Sequence, residues 1–383
     1  MRKFKEERVK LINSLWPEAV NEVVNLQCDR LACRQLSLSH SFSLWQKFIE
    51  NPPPDLARNL KKHLTGLPLT TVLGFIDSPL SGLRTKQEVV DVNLFHCALA
   101  GRDNTPSFEF RLPRKSTYWA LPHWDVGLES DGPIHVISQP GYLVVNWEDG
   151  SSSRLLRGQK TVAHRCLKVI NKASGRSILN GCEGLPERNG MKLDVQEGEL
   201  EIVTKAWGLL RQVWPQAAQS AEQCYSSFVV MKTQENHVHS FSDGDFLRLW
   251  FGSARDPVQV ADAFVHESAH ARMSVLLDCD SLLLNGEGDS YYSPWRKDLR
   301  PLIGVLNGVH AFLLVAEFYQ RLSRVDVVKQ KIWLQIAETQ REKVVQAMGI
   351  LRDSAKPTVL GKLVIDALAQ GVDRLKETTP CFA

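Results

Sequence analysis

The chain has 383 residues, with 46 Lys and Arg against 43 Asp and Glu and a formal net charge of +3. That length suits two or three packed units with a sizeable core, and so balanced a charge gives no warrant for a nucleic-acid or membrane-surface partner. The eight cysteines (Cys28, Cys33, Cys97, Cys166, Cys182, Cys224, Cys279, Cys381) contain no CxxC pair, which argues against a zinc ribbon or a disulfide framework and for a reducing compartment.

The basic start is followed by Glu6, Glu7, Pro17 and Glu18, where an export signal needs an unbroken apolar run. No window reads as the ~20 apolar residues of a membrane span, so the expected location is the cytoplasm. Residues 1–88 read as a helical region. "ERVKLINSLWPEAVNEVVNL" is amphipathic with a proline break, and "NPPPDL" (51–56) is a loop before a helix start. Residues 89–190 change texture. "VVDVNLFHCAL", "SFEFRLP", "PIHVIS" and "GYLVVNW" are short and β-rich, separated by Asp, Gly, Pro and Ser clusters. This region is a candidate for holding a long peptide.

Residues 191–383 are mostly helical and form the candidate catalytic domain. "EGELEIVTKAWGLLRQVWPQAAQ" predicts one amphipathic helix ending near Pro215, and "SSFVVMK" and "FLRLWFG" predict two strands. His237 and His239, at alternate spacing in "NHVHS", could face one side of a strand as a metal or substrate contact. Asp256-Pro257 opens the next helix. After a polar, glycine-bearing loop over 281–299 come the apolar helix "RPLIGVLNGVHAFLLVAEFYQRL", the amphipathic "DVVKQKIWLQIAETQREKVVQAMGIL" and a last helix over 358–376. Strands followed by a run of helices give the expected class, α+β and mostly helical.

The helix opened by Asp256-Pro257 carries "HESAH", His266 to His270. Positions i and i+4 share one helix face, so both imidazoles can reach one metal ion. Glu267 points about a quarter turn away, beside the ion, where it can take a proton from a bound water or hold a supporting hydrogen bond. A third ligand must come from elsewhere. Met273 and Leu276 rule out the long HExxHxxGxxH pattern, and Asn307-Gly308 departs from the pattern with a glutamate on the following helix. That following helix offers His310 near its middle and Glu317 two turns on. Antiparallel packing of the two helices would favour His310 as the ligand.

The intervening "GDSYYSPWRKDLRP" (288–301) collects Tyr292, Trp295, Arg296 and Arg300. Tyr292 and Trp295 are candidate substrate contacts. Arg296 or Arg300 is a candidate clamp for a carboxylate, since guanidinium binds one bidentately. Pairing of Arg296 with Asp289 or Asp298 at the surface is the alternative.

The HExxH helix, the "PWRKDLRP" loop and the "GVLNGVHAF" helix together resemble the HExxH-motif peptide β-hydroxylases that are encoded beside ribosomally made precursor peptides and depend on 2-oxoglutarate. The resemblance covers about 255–325. It implies a metallopeptidase-like (zincin-like) scaffold turned to oxidation. His266, His270 and a third group would hold Fe(II). 2-Oxoglutarate would chelate the metal with Arg296 or Arg300 on its distal carboxylate, and a side-chain β-carbon of a precursor peptide would be hydroxylated. Glu267 would orient ligands there. Open positions on a histidine site also suit zinc hydrolysis with Glu267 as general base, so a zinc metallopeptidase is the alternative.

Overall fold

The computed structural model describes Val20, Val24 and residues 107–112, 118–121, 126–129, 133–156, 166–168, 177–179, 197–225, 227–231, 240–242 and 249–377. The described residues form six helices and several small sheets, an α+β arrangement dominated by helix. The chain divides into two compact units, one of residues 1–40, 205–224 and 256–383, the other of residues 41–204 and 225–255. The segment 225–255, with two of the predicted strands, thus belongs with residues 41–204. Apart from Val20 and Val24, both helical and buried, the helices expected over 1–88 lie outside the described residues, as do His237 and His239.

In the strand-bearing unit, β1 (Phe108–Leu112), β4 (Ile134–Gln139), β5 (Tyr142–Trp147) and β6 (Ser152–Leu156) form an antiparallel sheet in the order β1-β4-β5-β6. The hairpin β4–β5 shows why. Apolar residues alternate along both strands, and register sets Ile134 opposite Trp147 and Val136 opposite Val145, all on the buried face. Gly141 in the connecting turn has φ 81°, a conformation that favours glycine. A second antiparallel sheet joins β2 (Tyr118–Leu121), β3 (Val126–Glu129) and β7 (Cys166–Lys168). A mixed sheet has the order β10-β11-β9-β8, with β8 (Ser177–Leu179), β9 (Ser227–Met231) and β11 (Leu249–Ser253) parallel and β10 (Ser240–Ser242) antiparallel at one edge. Strands β9 and β11 are those predicted from "SSFVVMK" and "FLRLWFG".

The helical region runs α1 (Glu197–Val213), α2 (Pro215–Cys224), α3 (Pro257–Cys279), α4 (Leu302–Val325), α5 (Gln330–Ser354) and α6 (Val359–Glu377). The predicted helix around Pro215 is two helices, because proline suits the first turn of a new helix and not the interior of an old one. Asp256 caps α3, its Oδ1 accepting from the amides of Val258 and Gln259 at 3.0 Å each, with Pro257 next in line. Helix α4 is buried on nearly all sides. By length and composition it meets the minimum for a membrane span, with a mean hydropathy of 1.6 over its best window, but 67% of that window is buried. Its apolarity is that of a central core helix. Val305, Val309 and Leu313 of α4 pack with Met273 and Leu276 of α3, Val344 and Met348 of α5, and Val364 and Leu368 of α6.

The loop after α3 is stitched to the α5–α6 connection. Asn285 Nδ2 donates to the Ser354 carbonyl at 2.9 Å, and the Lys356 amide donates to Asn285 Oδ1 at 2.8 Å. The Thr358 amide donates to the Leu282 carbonyl at 2.9 Å. Leu282 is fully buried with φ 58°, a strained backbone held by these contacts. The two-residue strands β12 (Ser290–Tyr291) and β13 (Arg300–Pro301) then pair across the loop and fix its exit into α4. At Gly361 a Cβ would fall onto the Leu282 carbonyl, whereas at Gly349 of α5 it would meet nothing within 4 Å. Gly361→Ala is therefore expected to destabilise the chain by about 2 kcal/mol or more, and Gly349→Ala to stabilise it by about 0.5–1 kcal/mol. Urea unfolding of the two variants checks the pair.

Candidate metal centre

Helix α3 buries Glu267, Ser268 and Arg272, while Asp262, His266 and His270 lie along a half-buried face. His266 and His270 lie on one face with their Nε2 atoms 3.0 Å apart and their rings edge to face, centroids 4.6 Å apart. At this distance one ring can donate its N–H to the other. Two nitrogens bound at right angles to one ion, each ~2.1 Å from it, would stand ~3.0 Å apart, against ~3.4 Å at a tetrahedral ion. Burial lowers the pKa of both rings to about 4, and for His270 the neighbouring His266 lowers it further while Glu267 raises it. Both imidazoles are thus neutral near pH 7, the form a metal requires. Glu267, one residue on, is only 3% exposed.

The pair is braced from α4. Phe312 meets His266 edge to face at 4.8 Å, and Trp295 stacks on Phe312 at 4.6 Å with the planes 7° apart. Trp295 fits there because residue 308 is glycine. A Cβ at Gly308 would come within 2.9 Å of the indole. Trp295 Nε1 donates to Gln340 Oε1 on α5 at 3.1 Å. One helical turn before His266, Asp262 accepts from the Tyr319 hydroxyl at 2.8 Å. Burial pushes the Asp262 carboxyl up to about 6 against the lowering effect of Tyr319, with a further rise from Glu267. The Tyr319 hydroxyl is raised by burial and then by Asp262. The contacts 262–319 and 266–312 run in opposite directions along the two helices, so α3 and α4 pack antiparallel, as the third-ligand argument requires.

The predicted site residues divide. His266, His270, Glu267 and Trp295 come together. His310 is fully buried on α4 but sits two residues, about 200° round the helix, from the Phe312 that touches His266. Glu317 Oε1 accepts from Nε and Nη2 of Arg321 at 3.0 and 2.7 Å, and that guanidinium lies 4.7 Å over the Trp214 ring. Among the described residues no group of three His, Cys, Asp or Glu is placed to hold a metal ion. Tyr292 is 53% exposed. Arg296 and Arg300 both turn to Asp298. Arg296 Nε donates to Oδ1 at 2.9 Å, and Arg300 Nη1 to Oδ2 at 3.3 Å. The hydrogen bond from Arg296 holds the Asp298 carboxyl below its usual range and raises Arg296 in turn.

Sequence reasoning passed over Phe312, Gly308, Gln340, Asp262 and Tyr319. Asp262 had a signal, since positions 262, 266 and 270 repeat at helical spacing. The others depend on which helices meet. No protein-family model matches the chain, and no curated protein does.

A histidine with a depressed folded pKa stabilises the fold fully above its unfolded value, 6.5, and that contribution is lost as pH falls toward about 4. Asp262 has the opposite sign. Its raised pKa favours the folded state below 3.8, and the gain is lost as pH rises through about 6. Metal-free protein should therefore lose stability between pH 6.5 and 4 relative to the double variant His266→Asn, His270→Asn. The comparison cancels Asp262, and denaturant midpoints across that range measure it. Parallel midpoint curves for the two proteins would show that the rings titrate normally.

Proposed function

We propose that the chain is a metal-dependent enzyme built on His266 and His270, and that its reaction is the Fe(II)- and 2-oxoglutarate-dependent β-hydroxylation of side chains in a ribosomally made precursor peptide. The observation that carries the metal is the neutral imidazole pair, 3.0 Å between Nε2 atoms on one half-buried helix face. Two imidazoles one turn apart can hold one ion at adjacent positions and leave its remaining positions open. The choice of oxidation rests on the sequence signature of the loop and the following helix, and a zincin-like scaffold is part of the same reading. Arg296 and Arg300 support it chemically. They already converge on one carboxylate, that of Asp298, through surface ion pairs worth little each, so an incoming carboxylate can take its place.

When bound, iron with 2-oxoglutarate and dioxygen supplies the oxidising power for hydroxylating an unactivated C–H bond. The chain's own groups do the rest. His266 and His270 present lone pairs without having to shed protons near pH 7. Phe312 fixes the His266 ring, and Trp295 fixes Phe312. Glu267 sits beside the pair as a hydrogen-bond acceptor that orients a bound water or ligand.

A zinc metallopeptidase is the second reading, favoured by the burial of Glu267 close enough to His270 to raise its pKa. There Glu267 would accept the proton of the attacking water. Aerobic incubation with Fe(II), 2-oxoglutarate and a candidate precursor peptide separates the two. Hydroxylation predicts succinate and a peptide heavier by one oxygen atom, both absent without dioxygen. Peptide cleavage that survives anaerobic conditions and disappears in Glu267→Gln would establish the hydrolase instead.

A further inference from the structure

The turn between α4 and α5 is exposed and apolar. Val325, Val327, Val328 and Ile332 all face solvent, Val327 at 70% and Val328 at 90%. A single exposed apolar side chain is ordinary, but a cluster of them marks an interaction surface. The turn itself is braced. Asp326 Oδ2 accepts from Trp333 Nε1 at 3.0 Å, and its Oδ1 from the Lys329 amide at 3.2 Å. Trp333 in turn stacks on the buried Tyr319, ring centroids 5.9 Å apart. Valines on a turn held in this way stay in water until something covers them.

Charge selects what covers them. The chain as a whole is nearly balanced, but over 324–332 Arg324, Lys329 and Lys331 stand against one acid, Asp326. The three cations are exposed, and none forms an ion pair among the described residues. The acid is engaged within the turn. The surface is therefore an apolar tip with cations before and after it in the chain. A second copy would set the same cations against one another. A bilayer that contains anionic lipid answers both features at once, with phosphates for the cations and the acyl boundary for the valines. The turn ends a helical hairpin, so it can meet a flat surface without the helices in the way.

We propose that the α4–α5 turn is a membrane-docking tip, which seats Val327 and Val328 in the headgroup region of an anionic bilayer while Arg324, Lys329 and Lys331 meet lipid phosphates. So few cations and such small side chains make the attachment weak, reversible and sensitive to salt. It does not depend on the histidine pair.

The test is co-sedimentation of the full-length chain with vesicles of phosphatidylcholine alone, or of phosphatidylcholine mixed with phosphatidylglycerol. The proposal predicts binding to the mixed vesicles and not to the neutral ones, falling as sodium chloride is raised. Val327→Ser, Val328→Ser should weaken it about tenfold, and Arg324→Gln, Lys331→Gln by a similar factor. His266→Asn, His270→Asn should bind as the wild type does, which separates docking from the proposed metal chemistry. The comparison of the two lipids on wild-type protein decides the matter however a variant folds. No binding to the mixed vesicles, equal binding to neutral ones, or undiminished binding in the valine pair would overturn the proposal. So would self-association in place of vesicle binding, abolished by the valine pair, which would assign the surface to a second copy.

Discussion

The antiparallel contact between α3 and α4 is the constraint on which the candidate site depends. It places Tyr319 on Asp262 and Phe312 on His266, so two successive turns of the histidine face are held by residues from the neighbouring helix. Trp295 carries the constraint outward, from Phe312 to Gln340 on α5. Two helices and the loop between them thereby fix one imidazole. A metal ligand gains from such support, because a ring already oriented loses little freedom on binding.

The same burial that orients the rings sets their charge. Desolvation keeps His266 and His270 neutral and pushes Asp262 toward its protonated form. A single helix thus places two neutral bases on one face and a buried cation, Arg272, on the other, with Glu267 also inside. Polar groups in such number in a core helix work against stability, and perturbed groups gathered in one place mark a functional site more often than an architectural one.

Much of the fold was legible in the sequence. Asp256-Pro257 announced the start of α3 through its capping chemistry, and short β-rich runs marked β1, β4, β5, β9 and β11. The break at Pro215 opened a second helix because proline at a first turn reads equally as an end or a beginning. The site was legible where it lies on one element. The i, i+4 spacing of His266 and His270 is a property of any helix, and it holds. What lies across helices was not. Helix α4 is apolar around His310 and Phe312 and buried on most sides, so its sequence does not say which of the two turns toward α3, and packing turned Phe312 there. The pairing of both arginines with Asp298 has a local reason. In Arg296-Lys297-Asp298-Leu299-Arg300 a carboxylate stands between the two guanidiniums in an exposed loop, and at that spacing it meets both.

The most direct measurement is anaerobic titration of metal-free protein with Mn(II) or Co(II), repeated from pH 6 to 8. The account predicts one ion per chain, lost in His266→Ala and in His270→Ala, retained in Glu317→Ala, and with an affinity nearly level across that range because the rings carry no protons to release. Binding that is absent, that survives loss of either ring, or that weakens steeply below pH 6.5 would contradict it.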